Sequence, residues 1–167
     1  MLTLDDAQPF DDVRREYDNA SFPRGVPFHV TLLYPFAPRE ELTDELRADV
    51  RAFFAEQPPF EFALTRIAAW PRVVYAVPEP DEELRQAMRE LFARFPQWPP
   101  YGGDIPRDVV IPHATLGEDV DGPAVRDEIA RRLAPHLPKR YVIDEASLLE
   151  EHEPDRWRER ERFRLGG

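Results

Sequence analysis

Pro27-Phe28-His29-Val30-Thr31-Leu32-Leu33-Tyr34-Pro35-Phe36 decides how this chain is read, because its centre returns as Ile111-Pro112-His113-Ala114-Thr115-Leu116. Both copies are a His-x-Thr-Leu tetrapeptide close behind a proline, and together they use two of the four histidines in 167 residues. Side chains alternate across an extended strand, so His and Thr share one face while Val/Leu or Ala/Leu share the other. The pattern predicts two buried strands, each presenting an imidazole and a hydroxyl on the same side.

The flanking sequence places each motif in a similar setting. Upstream, Met1 to Leu4 reads as a short strand, and Phe10, Val13 and Tyr17 fall at helical spacing. The first motif is read as a strand from Phe28 to Leu33. A helix from Pro38 to Glu56 follows, with Leu42, Leu46, Val50 and Phe53 on one face, and then a strand from Phe60 toward Trp70. In the second half, Arg72 to Val77 reads as a strand, Asp81 to Phe95 as a helix, and Gln97 to Pro112 as a loop running into the second motif. Asp121-Gly122-Pro123 opens another helix, and Lys139 to Leu149 and Arg156 to Leu165 are extended. The order is β-α-β-α-β and then β-α-β-α-β-β, with a His-x-Thr-Leu strand second in each set. This describes a duplication, with halves of about 1–70 and 71–167 sharing one core as a single domain.

Bulk composition narrows the chemistry. A net charge of −11, from 33 acidic and 22 basic residues, argues against a grip on long nucleic acid, which works by neutralising phosphates. It leaves room for a small nucleotide or an RNA terminus. With no cysteine, disulfides, thiolate nucleophiles and thiolate-bound metals are excluded. Neither a leader nor an apolar run of membrane-spanning length is apparent, so the expected location is the cytoplasm.

Imidazole is the side chain whose ordinary pKa, about 6.5, lets both protonation states exist near neutrality. Two facing one cleft can divide the labour of phosphodiester cleavage, one taking a proton from the attacking oxygen and the other giving one to the leaving oxygen. Threonine hydroxyls suit the phosphoryl oxygens as neutral donors.

The paired His-x-Thr-Leu motifs, the wording around His29, and the loop Pro100-Tyr101-Gly102-Gly103 leading into Ile111-Pro112-His113 resemble the 2H phosphoesterase superfamily, and within it the small bacterial proteins of the 2′-5′ RNA ligase type. The likeness extends to the Arg72-Val73-Val74-Tyr75 strand and to the ending from Trp157 to Gly166. It implies an α+β fold, bilobal and pseudo-symmetric, each lobe an antiparallel sheet with helices on its outer side, around a central cleft. It also implies a phosphodiesterase that needs no metal and no cofactor, acting on a 2′,3′-cyclic phosphate or a 2′-5′-linked substrate. By the same resemblance His29 and His113 are the acid-base pair and Thr31 and Thr115 bind phosphate, with acid and base unassigned. The expected partner is a small nucleotide or RNA terminus, with no long duplex and no membrane, and the chain is expected to act as a monomer.

Further candidates come from position. Tyr101 lies where an aromatic can stack on a base or pack within its own loop, and Arg107 in the same loop can reach a phosphate, although a polar loop favours a solvated arginine. Tyr34, opposite His29 by strict alternation, is read as core. Glu118 and Asp119, just beyond the second motif, can orient an imidazole but are read as the start of a solvated turn, the five arginines from Arg156 to Arg164 as a charged edge strand neutralised by nearby carboxylates, and His136 and His152 as without a role. Two other functions fit the motifs: a nucleotide or RNA-end binding module with little turnover, and a metallohydrolase with His29 and His113 as ligands. The latter lacks the third ligand that hydrolytic metal sites use.

Overall fold

The structure, a computed structural model, describes residues 1–166. The elements follow the expected order: β1 (Leu2–Thr3), α1 (Gln8–Tyr17), β2 (His29–Val30), α2 (Asp44–Ala55), β3 (Phe60–Trp70), β4 (Val73–Glu79), α3 (Glu82–Arg94), β5 (Ala114–Glu118), α4 (Gly122–Leu133), β6 (Lys139–Ile143), β7 (Glu145–Glu153) and β8 (Arg156–Arg164).

The strands form two antiparallel groups. In one sheet the order is β5-β4-β3-β6. In the other lobe β1 pairs with β2 and β7 with β8. Met1 joins the two pairs, its nitrogen donating to the Ser147 carbonyl at 2.9 Å and its own carbonyl accepting from Ser147 N at 2.8 Å. Helices α1 and α4 pack on the four-stranded sheet and α2 packs on β8. Helix α3 is tied to α2 through Gln57 Nε2, which donates to Glu90 at 2.9 Å, and through the ion pair of Arg94 with Asp49.

The lobes are therefore not the two sequence halves. Strand β3 belongs to the first half but hydrogen-bonds to β4 and β6 of the second, while β7 and β8 complete the lobe that β1 and β2 begin. The extended run from Lys139 to Leu149 is two strands: at Asp144 the chain crosses from one lobe to the other, so β6 and β7 serve different sheets. One cluster of buried apolar side chains runs through both, from Leu2 and Phe28 through Leu64 and Leu91 to Phe163.

Two boundaries differ from the sequence reading for local reasons. The helix predicted from Pro38 is a single 3₁₀ turn over Arg39–Glu41 followed by α2, which starts afresh because the Thr43 hydroxyl caps it by accepting from Leu46 N at 3.2 Å. The first motif keeps strand pairing only at His29 and Val30, since β1 offers just Leu2 and Thr3 as partners. No helix among the described residues is long and apolar enough to cross a membrane.

Candidate active site

Both motifs face one cleft of about 1380 Å³ between the lobes, lined by His29, Thr31, His113 and Thr115 together. The apolar members of each motif do the opposite job: Val30, Leu32, Ala114 and Leu116 are buried in the core and hold the polar pair in place.

The two histidines are set in the same way. His29 Nδ1 lies 2.8 Å from the Pro27 carbonyl and His113 Nδ1 lies 2.9 Å from the Ile111 carbonyl, in each case the residue two positions earlier. A carbonyl only accepts, so Nδ1 carries the proton and donates it, which leaves Nε2 as the basic nitrogen of a neutral ring. At His29 that nitrogen accepts from the Thr31 hydroxyl at 3.0 Å. The His113 ring is held edge-on by Trp70 and Tyr75, with centroid distances of 4.9 and 5.6 Å.

Burial lowers both imidazoles. His29 is pushed down to about 4, chiefly by desolvation, with the positive charges of the amino terminus and Arg14 and the nearby His113 adding to it and the Pro27 hydrogen bond opposing. Desolvation also lowers His113, against the pull of its bond to Ile111. Near neutral pH both rings in the free protein are uncharged.

A buried ion pair fixes the spacing between the motifs. Arg14, on α1, is 1% exposed; its guanidinium donates to Asp18 at 3.1 and 3.2 Å and to the Val26 carbonyl, just before the first motif, at 2.9 Å. Asp18 in turn accepts from the backbone of Ser21 at 2.8 Å. The next residue, Asn19, donates its backbone N–H to the Glu118 carbonyl at the end of β5, at 3.2 Å. One helix end thus grips both strands.

The other sequence candidates divide. Tyr101 lines the cleft from a left-handed backbone with φ 53°, and its N–H donates to the Tyr34 carbonyl at 2.6 Å, which ties the long loop to the first motif. Arg107 is turned away: its guanidinium donates to the carbonyls of Phe92 and Pro96 at 3.3 Å, closing the loop onto the end of α3, and it is absent from the cleft wall. Tyr34 is not core. It is 52% exposed on the cleft wall, edge-on to Trp157 at 6.2 Å, because the chain leaves strand geometry after Val30 and strict alternation no longer applies. Glu118 also lines the cleft, contrary to the reading of a solvated turn, and His152 lies on the same cleft wall. Asp119 does lie exposed in a turn, paired with Arg72 at 2.6 Å. Three of the five C-terminal arginines are neutralised as expected, Arg158 and Arg160 by Glu150 and Arg162 by Glu145 and Glu159, while Arg156 donates to the Pro23 carbonyl. Among the described residues no three His, Asp or Glu side chains are grouped as metal ligands.

Known proteins resemble the chain over nearly its full length. A relative from Geobacillus kaustophilus named "Putative phosphoesterase" is 27% identical over 157 residues, covering 92% of this chain and 86% of the relative. One of the same name from Geobacillus thermodenitrificans is 26% identical over the same length. Among solved structures, E. coli LigT complexed with 3′-AMP superposes with a TM-score of 0.58 at 19% identity, covering 99% of this chain and 95% of LigT. A Thermus thermophilus protein superposes with a TM-score of 0.50 at 26% identity, covering 84% of this chain and 79% of that protein. The model of the 2′-5′ RNA ligase superfamily matches residues 4–155, a span that holds both motifs and six of the eight strands, β2 to β7, and the chain belongs to that family.

Proposed function

We propose that this protein is a metal-independent phosphodiesterase that hydrolyses a 2′,3′-cyclic phosphate or a 2′-5′-linked nucleotide or RNA end. The observation that carries this reading is the matched setting of the two histidines: each commits Nδ1–H to a carbonyl two residues upstream and keeps Nε2 as its basic nitrogen in the shared cleft, at His29 accepting from the Thr31 hydroxyl. Membership of the family and the phosphoesterase-named relatives support a phosphoester as the substrate.

In hydrolysis of a cyclic diester, one Nε2 accepts a proton from water as its oxygen attacks phosphorus. The other imidazole, as imidazolium, gives its proton to the ribose oxygen released when the ring P–O bond breaks. The Thr31 and Thr115 hydroxyls donate to the non-bridging oxygens, which gain charge in the transition state. The entering anion favours the protonated form of one imidazole, opposing the desolvation that keeps both neutral in the free protein. Which ring is acid follows from which side is attacked. Tyr101, which also lines the cleft, stacks against the base in this reading.

The test is turnover of a panel of 2′,3′-cyclic nucleotides and 2′-5′ dinucleotides by the wild type and by His29→Ala and His113→Ala. Each variant should lose about 100-fold or more in kcat, and a strong chelator should leave the wild type unchanged. Full turnover in either variant overturns the two-histidine mechanism. Binding of nucleoside phosphates with no turnover of any panel member makes the cleft a binding site instead.

A further inference from the structure

Strict alternation does not put Glu118 in the cleft. His113 and Thr115 share the cleft face of β5, and the same period continued would bring Gly117 to it and turn Glu118 away. The ladder between β5 and β4 slips here: Thr115 pairs with Tyr75 but Gly117 pairs with the adjacent Val74, so Leu116 is an extra residue. Such a bulge reverses the phase of the strand. Glu118 consequently returns, half-buried, to the cleft wall on the strand that carries His113 and Thr115.

The charges around it are few. Asp18 at the end of α1 and Asp119 beyond the strand face it with like charge, Arg24 faces it with opposite charge, and the Tyr101 phenol lies near enough to be raised by it. Burial and the two aspartates push the Glu118 carboxyl up, with Arg24 opposing. Arg24 itself is paired with Asp155 at 3.5 Å. The other guanidinium on the wall, Arg39, sits in an acidic turn with Glu40 and Glu41. Two neutral imidazoles, two hydroxyls and the Glu118 carboxylate share the cleft wall with the amino terminus of Met1, which burial pushes down to about 5, and with Arg24, whose charge is partly taken up by Asp155.

A site of this composition distinguishes phosphates by charge. A cyclic phosphodiester carries one negative charge; opening it breaks one P–O bond, adds one water, and leaves a monoester that loses a second proton above about pH 6. We infer that Glu118 sets the charge selectivity of the cleft, admitting a singly charged phosphodiester and rejecting the doubly charged monoester that hydrolysis produces. This rests on the phosphodiesterase reading above and deepens it. Product is expelled by repulsion as it takes its second charge, and ligands with a terminal phosphate dianion at this end of the cleft are disfavoured.

The experiment is calorimetric binding of adenosine 2′-monophosphate to the wild type, Glu118→Gln, Glu118→Asp and Asp119→Asn, alongside KM for 2′,3′-cyclic AMP. Burial lowers both imidazoles, so the deciding comparison is at about pH 8, where both rings of the free protein are neutral and the ester is a dianion. There Glu118→Gln should bind the monoester about tenfold tighter than the wild type, the size expected for one charge pair a few ångströms apart in a partly solvated site. KM for the cyclic diester should fall by a smaller factor. Glu118→Asp, which keeps the charge, should retain the wild-type preference. Asp119→Asn, which loses an exposed charge already paired with Arg72, should bind like the wild type. An unchanged monoester affinity in Glu118→Gln, or equal tightening toward diester and monoester, overturns the role of Glu118 while leaving the phosphodiesterase reading intact. A wild type that turns over no cyclic diester overturns that reading, whereas the charge preference is still decided by monoester binding against cyclic AMP as an unreacted ligand.

Discussion

An imidazole that donates Nδ1–H to a carbonyl has one nitrogen left, and in this cleft both histidines are held that way by Pro27 and Ile111. The consequence is a pH signature. Because burial lowers both rings, His29 to about 4, the free enzyme reaches its one-neutral, one-protonated form only on the acid side of 6.5. The pH optimum of kcat/KM, which reports the free enzyme, should therefore lie below about 6.5. The optimum of kcat should lie higher, because the bound anion raises the ring it faces. Steady-state profiles across about pH 4 to 9 measure both, and coincident optima at or above 7 contradict the idea. At this scale the sequence was informative about the repeated pairs, since His29 with Thr31 and His113 with Thr115 need only a period of two. It misread Tyr34 and left Arg107 and Glu118 between a place in the site and a solvated one, because their placement depends on where regular strand geometry stops or on what neighbouring elements offer.

Elements place those side chains by packing, and backbone approaches closely behind His113. Helix α4 begins at Gly122 against the β3–β4 turn, and a Cβ added there would drive into the carbonyl oxygens of Trp70 and Val73. Backbone cannot yield as a flexible side chain does. Gly122→Ala should cost about 2 kcal/mol or more, read as a lower midpoint in denaturant at unchanged slope. Trp70 also packs on the His113 ring, so kcat should fall with stability. Wild-type stability in the variant would show that the turn relaxes freely. Helix periods were legible because apolar stripes recur every three to four residues, as Leu84, Met88, Leu91 and Phe92 do on α3. The break at Thr43 was not, since a capping hydroxyl inside an amphipathic pattern leaves that pattern unaltered.

At the scale of the molecule, the lobes exchange strands: β3 lies between β4 and β6, and β7 and β8 complete the lobe begun by β1 and β2. Cutting the chain near residue 70 would sever the β3–β4 pairing from Ala63 to Trp70 as well as the covalent link. Unfolding should accordingly be one cooperative transition, with coincident denaturant curves from tryptophan fluorescence and far-UV circular dichroism. Two separated transitions would show that the lobes are independently stable. The sequence alone determined the α+β element order, the paired motifs and the exclusion of thiol chemistry, because these follow from local periodicity and composition. Only the tertiary structure decided which strands share a sheet, that Asp144 is the crossing point, and that Glu118 joins the histidines at the cleft. Strand pairing and bulges are set by partners distant in the chain, and a strand's own residues do not encode the register its neighbours impose.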